Sequence, residues 1–117
     1  LFSKMRFLSV QLEAYLADDL WLRNAAHANA MARRLAEGLS EMPGVELLHS
    51  VEANEIFARL PAAVADGLEA AGFGFYRWGA AETPEVRLVA AWNTQPAAVE
   101  AFLATAQDLA EAAAQTK

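Results

Sequence analysis

EVRLVAAWNT, residues 85–94, is the stretch from which the rest of the chain is read. Val86, Leu88, Val89, Ala90, Ala91 and Trp92 form an apolar run rich in β-branched and aromatic side chains, broken only by Arg87. That composition belongs to a strand. Alternation sets Arg87, Val89 and Ala91 on one face and Val86, Leu88, Ala90 and Trp92 on the other. Apart from Arg87 both faces are apolar, which predicts a strand over 86–92 covered on both sides. Thr94 and Pro96 then open a helix. An arginine inside such a strand needs an anionic partner, and a planar carboxylate matches its fork best. From spacing alone the commoner reading is a strand-end arginine in water, or one paired with Glu85, because arginines are usually exposed.

Working outward, Met5, Leu8, Leu12, Tyr15 and Leu16 recur at helical spacing and predict a first helix over 3–17. Asp18 and Asp19 are suited to cap a second over 20–40, since short carboxylates accept the free amides of a first turn. Its apolar stripe is Trp21, Ala28, Met31, Leu35 and Leu39, with Arg23, Arg33, Arg34 and Glu37 off it. Met42-Pro43-Gly44 stops it. Short strands follow over 45–48 and 55–60, the second with Ile56, Ala58 and Leu60 on one face and Phe57 on the other. Pro61 suits the first position of a helix over 62–71 that ends at Gly72. An aromatic strand over 73–78 and a turn over 79–84 lead back to the Arg87 strand. The last helix carries Val99, Phe102, Leu103, Ala106 and Ala110 on its core side. The order α-α-β-β-α-β-β-α predicts an α+β sandwich: a small, mostly antiparallel sheet covered by helices.

A chain of 117 residues suits one domain with a modest core. Its net charge of -6 argues against nucleic acid and against an anionic membrane surface as partners. No apolar run reaches the ~18–20 residues that a transmembrane helix needs. With no cysteine there is neither a disulfide framework nor a thiolate ligand. LFSKMRFLSV is interrupted by charge, unlike a signal peptide, and starts inside an amphipathic pattern. The chain therefore reads as the C-terminal piece of something longer.

Catalytic motifs are missing. His27 and His49 are too far apart for metal-ligand spacing and read as a helix-face and a strand-end imidazole, so no metal is expected. Ser3, Ser9, Ser40 and Ser50 lack a glycine-framed elbow. Gly72-Phe73-Gly74 leads into a strand and is no phosphate loop, and Asp18, Asp19, Glu52 and Glu55 read as capping or solvated groups. Phe73, Phe75, Tyr76, Trp78 and Trp92 suit a core better than a base-stacking platform, for want of interleaved basic residues. Lys4 and Lys117 are the only lysines, and nothing around either provides the desolvated pocket of a Schiff-base lysine.

The succession KMRFLSVQLEAYLADDLWLRNAAHANAMARRLAEGL, PGVEL, VEANEIFARLP, FYRW and VRLVAAWNT, in this order along nearly the whole chain, resembles the C-terminal part of threonine aldolases. The resemblance implies a small domain of the aspartate aminotransferase-like fold of pyridoxal-phosphate enzymes, with 1–40 as linking helices packed on a large domain and 41–117 as the small α+β domain. It implies a lyase that cleaves L-threonine or allo-threonine to glycine and an aldehyde. The cofactor lysine and the other groups that hold pyridoxal 5'-phosphate would belong to the large domain preceding Leu1. This stretch would then hold no catalytic residue and be inactive alone. A cytoplasmic homodimer or homotetramer is implied as well.

Two site residues carry over by resemblance. Arg87, in VRLV, matches the arginine that holds the substrate α-carboxylate. Lys4 falls where the family has a lysine in a loop near the active site, a looser match because spacing around that loop varies. Met5-Arg6-Phe7-Leu8 replaces the glycine-rich form of that loop, and Ala91 and Asn93 stand where close relatives have Ser and Asp. Another enzyme of the same fold, a β-eliminating lyase or an aminotransferase, would use the same arginine. A free-standing ligand-binding or dimerisation module is the alternative from outside enzymology. A lysine-bearing domain upstream in the same reading frame would separate it from the others.

Overall fold

The computed structural model describes residues 20–49, 51 and 53–115. The helix expected over 3–17, the Asp18–Asp19 cap, Lys4 and the side chain of Trp21 lie outside the described residues. Seven elements follow one another: α1 (Leu20–Ser40), β1 (Glu46–Leu47), β2 (Glu55–Arg59), α2 (Ala62–Ala70), β3 (Tyr76–Gly79), β4 (Pro84–Val89) and α3 (Pro96–Gln115). The four strands form one sheet in the order β1-β2-β4-β3, every neighbouring pair antiparallel.

The core lies on one side of this sheet. Ile56 and Ala58 of β2 and Val86 and Leu88 of β4 point to the same face and meet Ala32, Leu35, Ala36 and Leu39 of α1. Val64, Ala65 and Leu68 of α2 join them, with Val99, Phe102, Leu103, Ala106 and Ala110 of α3. Of the stripe expected for α1, Ala28, Leu35 and Leu39 are buried, with Ala32 and Ala36 added and Met31 at the margin, and α3 buries the five residues expected of it. Side chains of this size remove enough apolar surface from water to hold helices of 20 residues or so that would be marginal alone. Ion pairs link the elements at the rim. Arg34 of α1 makes a two-pronged contact with Glu100 of α3 at 2.8 and 2.9 Å, and Arg77 of β3 reaches Asp66 of α2 at 2.7 Å and Glu69 beside it.

Element ends depart from the sequence reading where the backbone finds other partners. The 73–78 strand begins only at Tyr76, because Gly72 takes φ +101° and the amides of Gly72 and Phe73 turn back to Glu69 and Leu68 to close α2. Pro61 precedes the first helical residue, and its carbonyl accepts from Val64 and Ala65. The Arg87 strand begins earlier than expected, at Pro84, and stops at Val89. Ala90 N–H still donates to the Asn54 backbone carbonyl at 2.9 Å, and the Asn54 side-chain amide donates back to the Ala90 carbonyl, but residues 91–94 curl into a turn closed by Thr94 N–H to Ala91 O at 3.1 Å. The Thr94 hydroxyl accepts from the Ala91 amide at 2.7 Å, so it closes this turn and does not cap α3. The first amides of α3 go to the Gln95 carbonyl.

A larger correction concerns the second face of β4. Covering on both sides was expected; among the described residues the face that carries Glu85, Arg87 and Val89 is open. Trp92, expected on the core face, lies in the turn and is 64% exposed.

Candidate functional site

The open face is built by register. Phe57 of β2 and Tyr76 of β3 are the direct cross-strand partners of Arg87, one on each side. Residues paired across an antiparallel ladder project to the same face, so Arg87 rises between two aromatic side chains. Glu55 projects beside it, two residues before Phe57, and Trp78 lies opposite Glu85. Phe57 stands edge-on to His49, with ring centres 5.3 Å apart, and to Trp78 at 6.5 Å. The sheet therefore offers a strip of rings crossed by one guanidinium.

The other arginines with carboxylate neighbours are satisfied: Arg34 and Arg77 as above, and Arg59 by Glu46 at 3.2 Å. Arg87 differs. Among the described residues its buried Nε has no hydrogen-bond partner and forms only a longer ion pair with the Glu55 carboxylate at 3.6 Å. Its Cζ lies 4.7 Å from the centre of the Tyr76 ring, within the range of a cation–π contact. The side chain as a whole is 37% exposed, and since Nε is shielded, that exposure belongs to its other atoms. The exposed part of a guanidinium held this way can receive an anion.

At the end of β4 the chain is pinned to α1. His27 bonds the Thr94 carbonyl through Nε2 at 2.6 Å, and Asn54 donates to the Ala90 carbonyl at 2.8 Å. Asn24, Ala25 and Ala28 of α1 face Asn54 and residues 89–92 across a shallow cleft of about 330 Å³, with Trp92 at its rim. The cleft adjoins the Arg87 face through Val89.

Charge elsewhere is arranged for support. The Arg34 guanidinium holds the Glu100 carboxyl below the usual carboxylate range, chiefly by their hydrogen bond, and Glu100 raises Arg34 in return. Arg77 is raised likewise by its bonds to Asp66 and Glu69. Among the described residues no group of three or more His, Asp or Glu side chains is placed to hold a metal ion. Lys4 lies outside them. Sequence reasoning singled out Arg87 but passed over Tyr76, Phe57 and Glu55 as its neighbours. Alternation along one strand says which face a residue takes, while the identity of its cross-strand partners depends on register. His27 was read as a helix-face imidazole, and its bond to Thr94 joins residues 67 positions apart.

No family profile matches the chain. Among curated proteins it is similar to a low specificity L-threonine aldolase of Pseudomonas aeruginosa, 43% identical over 95 residues, which are 79% of this chain and 26% of that protein. A second low specificity L-threonine aldolase, from a Pseudomonas species, is 38% identical over 102 residues, 87% of this chain and 29% of that protein. The chain thus spans between a quarter and a third of the length of these relatives. Among solved structures, a threonine aldolase of Leishmania major superposes with a TM-score of 0.80 at 27% identity, over 88% of this chain and 30% of that one. A serine palmitoyltransferase of Sphingomonas wittichii shares the fold, with a TM-score of 0.65 at 24% identity over 77% of this chain and 25% of that one.

Proposed function

The chain belongs to the threonine aldolase family, and from that premise we propose that it is the C-terminal part of a pyridoxal-phosphate-dependent lyase. The whole enzyme cleaves β-hydroxy-α-amino acids of the L-threonine and allo-threonine type to glycine and an aldehyde. The fold is the α+β small domain of aspartate aminotransferase-like enzymes. Within that enzyme this chain's task is to hold the substrate by its α-carboxylate. The observation that carries this reading is Arg87: on a sheet face that no described helix covers, its guanidinium is ion-paired at the buried Nε with Glu55 at 3.6 Å while the rest of the side chain, 37% exposed, is open to an anion. Arginine suits the role because its planar fork binds a carboxylate through two parallel bonds and keeps its charge at any working pH.

The described residues fit the substrate carboxylate and not the cofactor. Both lysines of the chain, Lys4 and Lys117, lie outside them, and no other side chain forms a Schiff base. Pyridoxal 5'-phosphate, bound by the large domain, supplies the electron sink for breaking the Cα–Cβ bond. Arg87 orients the amino acid so that this bond is presented to the cofactor, and the aromatic strip keeps water from the carboxylate contact. Lys4 belongs, in this reading, to a loop at the edge of the same site. Residues 1–40 link and dock to the large domain, and 41–117 form the small domain. Within 1–40, the part of α1 from Ala28 onward packs into the small-domain core, which leaves docking to the part that bears exposed Leu22. The whole protein works as a cytoplasmic homodimer or homotetramer; among the described residues no helix is long and apolar enough to cross a membrane.

A different reaction on the same fold and a free-standing module are less well supported, because both curated relatives carry the aldolase name. The test is acetaldehyde release from L-threonine by the intact parent protein loaded with pyridoxal phosphate, with Arg87→Ala alongside. The parent releases acetaldehyde, and the variant raises KM on the order of 30-fold or more, the expected effect of removing one partner of a desolvated charge pair. No release by folded, cofactor-loaded protein would point to another reaction on an amino acid. A parent unable to bind the cofactor would remove the assignment. The 117-residue chain alone releases none.

A further inference from the structure

An arginine on an open sheet face has several rotatable bonds and no reason to hold one position, and fixing it costs side-chain entropy at the moment of binding. Here the register places a ring on either side of it, Phe57 from β2 and Tyr76 from β3. Phe57 is itself held edge-on by His49 and Trp78. Tyr76 lies on the edge strand, 64% exposed, and gives the face of its ring to the guanidinium at 4.7 Å. The buried Nε edge is closed to an incoming anion, and exposure is left to the rest of the side chain.

We propose that Tyr76 is a positioning residue: its ring stacks on the Arg87 guanidinium and presets it, so that a substrate carboxylate is received end-on by the two terminal amino groups. This rests on the reading of Arg87 as the carboxylate clamp and adds to it the residue through which the clamp is held. The ring face carries the effect, since the negative face of an aromatic ring attracts a cation whether or not a hydroxyl is attached. Preorganisation of this kind lowers the cost of binding without touching the bond that breaks. The effect therefore falls on KM and spares kcat.

The experiment compares Tyr76→Ala, Tyr76→Phe, Arg87→Ala and the Tyr76→Ala/Arg87→Ala double variant in the full-length, cofactor-loaded protein, with L-threonine as substrate. Tyr76→Ala raises KM roughly three- to thirty-fold at unchanged kcat, the range expected for loss of one cation–π contact. Tyr76→Phe behaves as the parent. In the Arg87→Ala background, removing Tyr76 changes kcat/KM no further, because residues acting through one another are not additive. If Tyr76→Ala matches the parent while Arg87→Ala raises KM, the positioning role is overturned and the clamp stands. Additive losses in the double variant overturn it too, since Tyr76 would then act independently of Arg87. Should Arg87→Ala leave KM unchanged, the clamp itself falls and the proposal with it. If Arg87→Ala has no measurable turnover, Tyr76→Ala against Tyr76→Phe decides alone.

Discussion

At the residue scale, the contrast among arginines is chemical before it is positional. Arg34, Arg59 and Arg77 each donate a hydrogen bond to a carboxylate of this chain, whereas Arg87 Nε has only the longer ion pair with Glu55 at 3.6 Å among the described residues. A lysine at 87 would keep the charge and lose the fork, so Arg87→Lys in the whole enzyme should leave KM for L-threonine at least about ten-fold above the parent. A KM equal to the parent's would mean that charge alone suffices. The Arg34–Glu100 pair makes a prediction of opposite character. Because Arg34 holds the Glu100 carboxyl below its ordinary 4.5, the pair's stabilisation is fully present above that pH and is lost as pH falls through the lowered value. Both partners are about half exposed, so the effect is weakened by salt. Glu100→Gln should remove that acid-side dependence from thermal melts taken below pH 4.5, and a melt series unchanged by the substitution would count against it.

At the element scale, the joints between elements are the sensitive points. His27 ties α1 to the turn that ends the Arg87 strand, through the Thr94 carbonyl at 2.6 Å. His27→Ala should cost about 0.5–1.5 kcal/mol, one net hydrogen bond, read as a lowered unfolding midpoint of the parent protein in urea. Gly44 follows α1 with φ +76°, and an added Cβ would sit 2.9 Å from the Pro61 ring. Gly44→Ala combines left-handed strain with that contact and should destabilise by about 1–3 kcal/mol on the same measurement. A neutral Gly44→Ala would mean that the turn relaxes elsewhere. Helix stripes were legible at this scale because a 3.6-residue period repeats many times along α1 and α3. The end of β4 was not. Ala90, Ala91 and Trp92 continue the apolar run, but the Thr94 hydroxyl and carbonyl draw 91–94 into a turn anchored on distant residues.

At the scale of the whole molecule, the sheet is one-sided among the described residues. Helices cover the face of Ile56, Ala58, Val86 and Leu88, and the opposite face leaves Tyr76, Trp78 and Val89 exposed, with Trp92 in the adjoining turn. Contiguous aromatic surface of this kind marks an interaction face. The 117-residue chain alone should self-associate in sedimentation velocity. A monodisperse monomer of the isolated chain at high concentration would show that the face tolerates water.

The order of elements, the helix stripes and the choice of Arg87 followed from the amino-acid sequence alone, since periodicity and side-chain chemistry are local properties that survive without a fold. The similarity to threonine aldolases was legible in the same way, because the succession of motifs runs along the chain. Only the tertiary structure decided that the described helices leave one face of β4 uncovered, that Trp92 lies in the turn and that Tyr76 and Phe57 flank the guanidinium. Those facts depend on strand register and on which face the helices occupy. Residues 57, 76 and 87 become neighbours only when three strands pair, and no local pattern of the sequence encodes that distance.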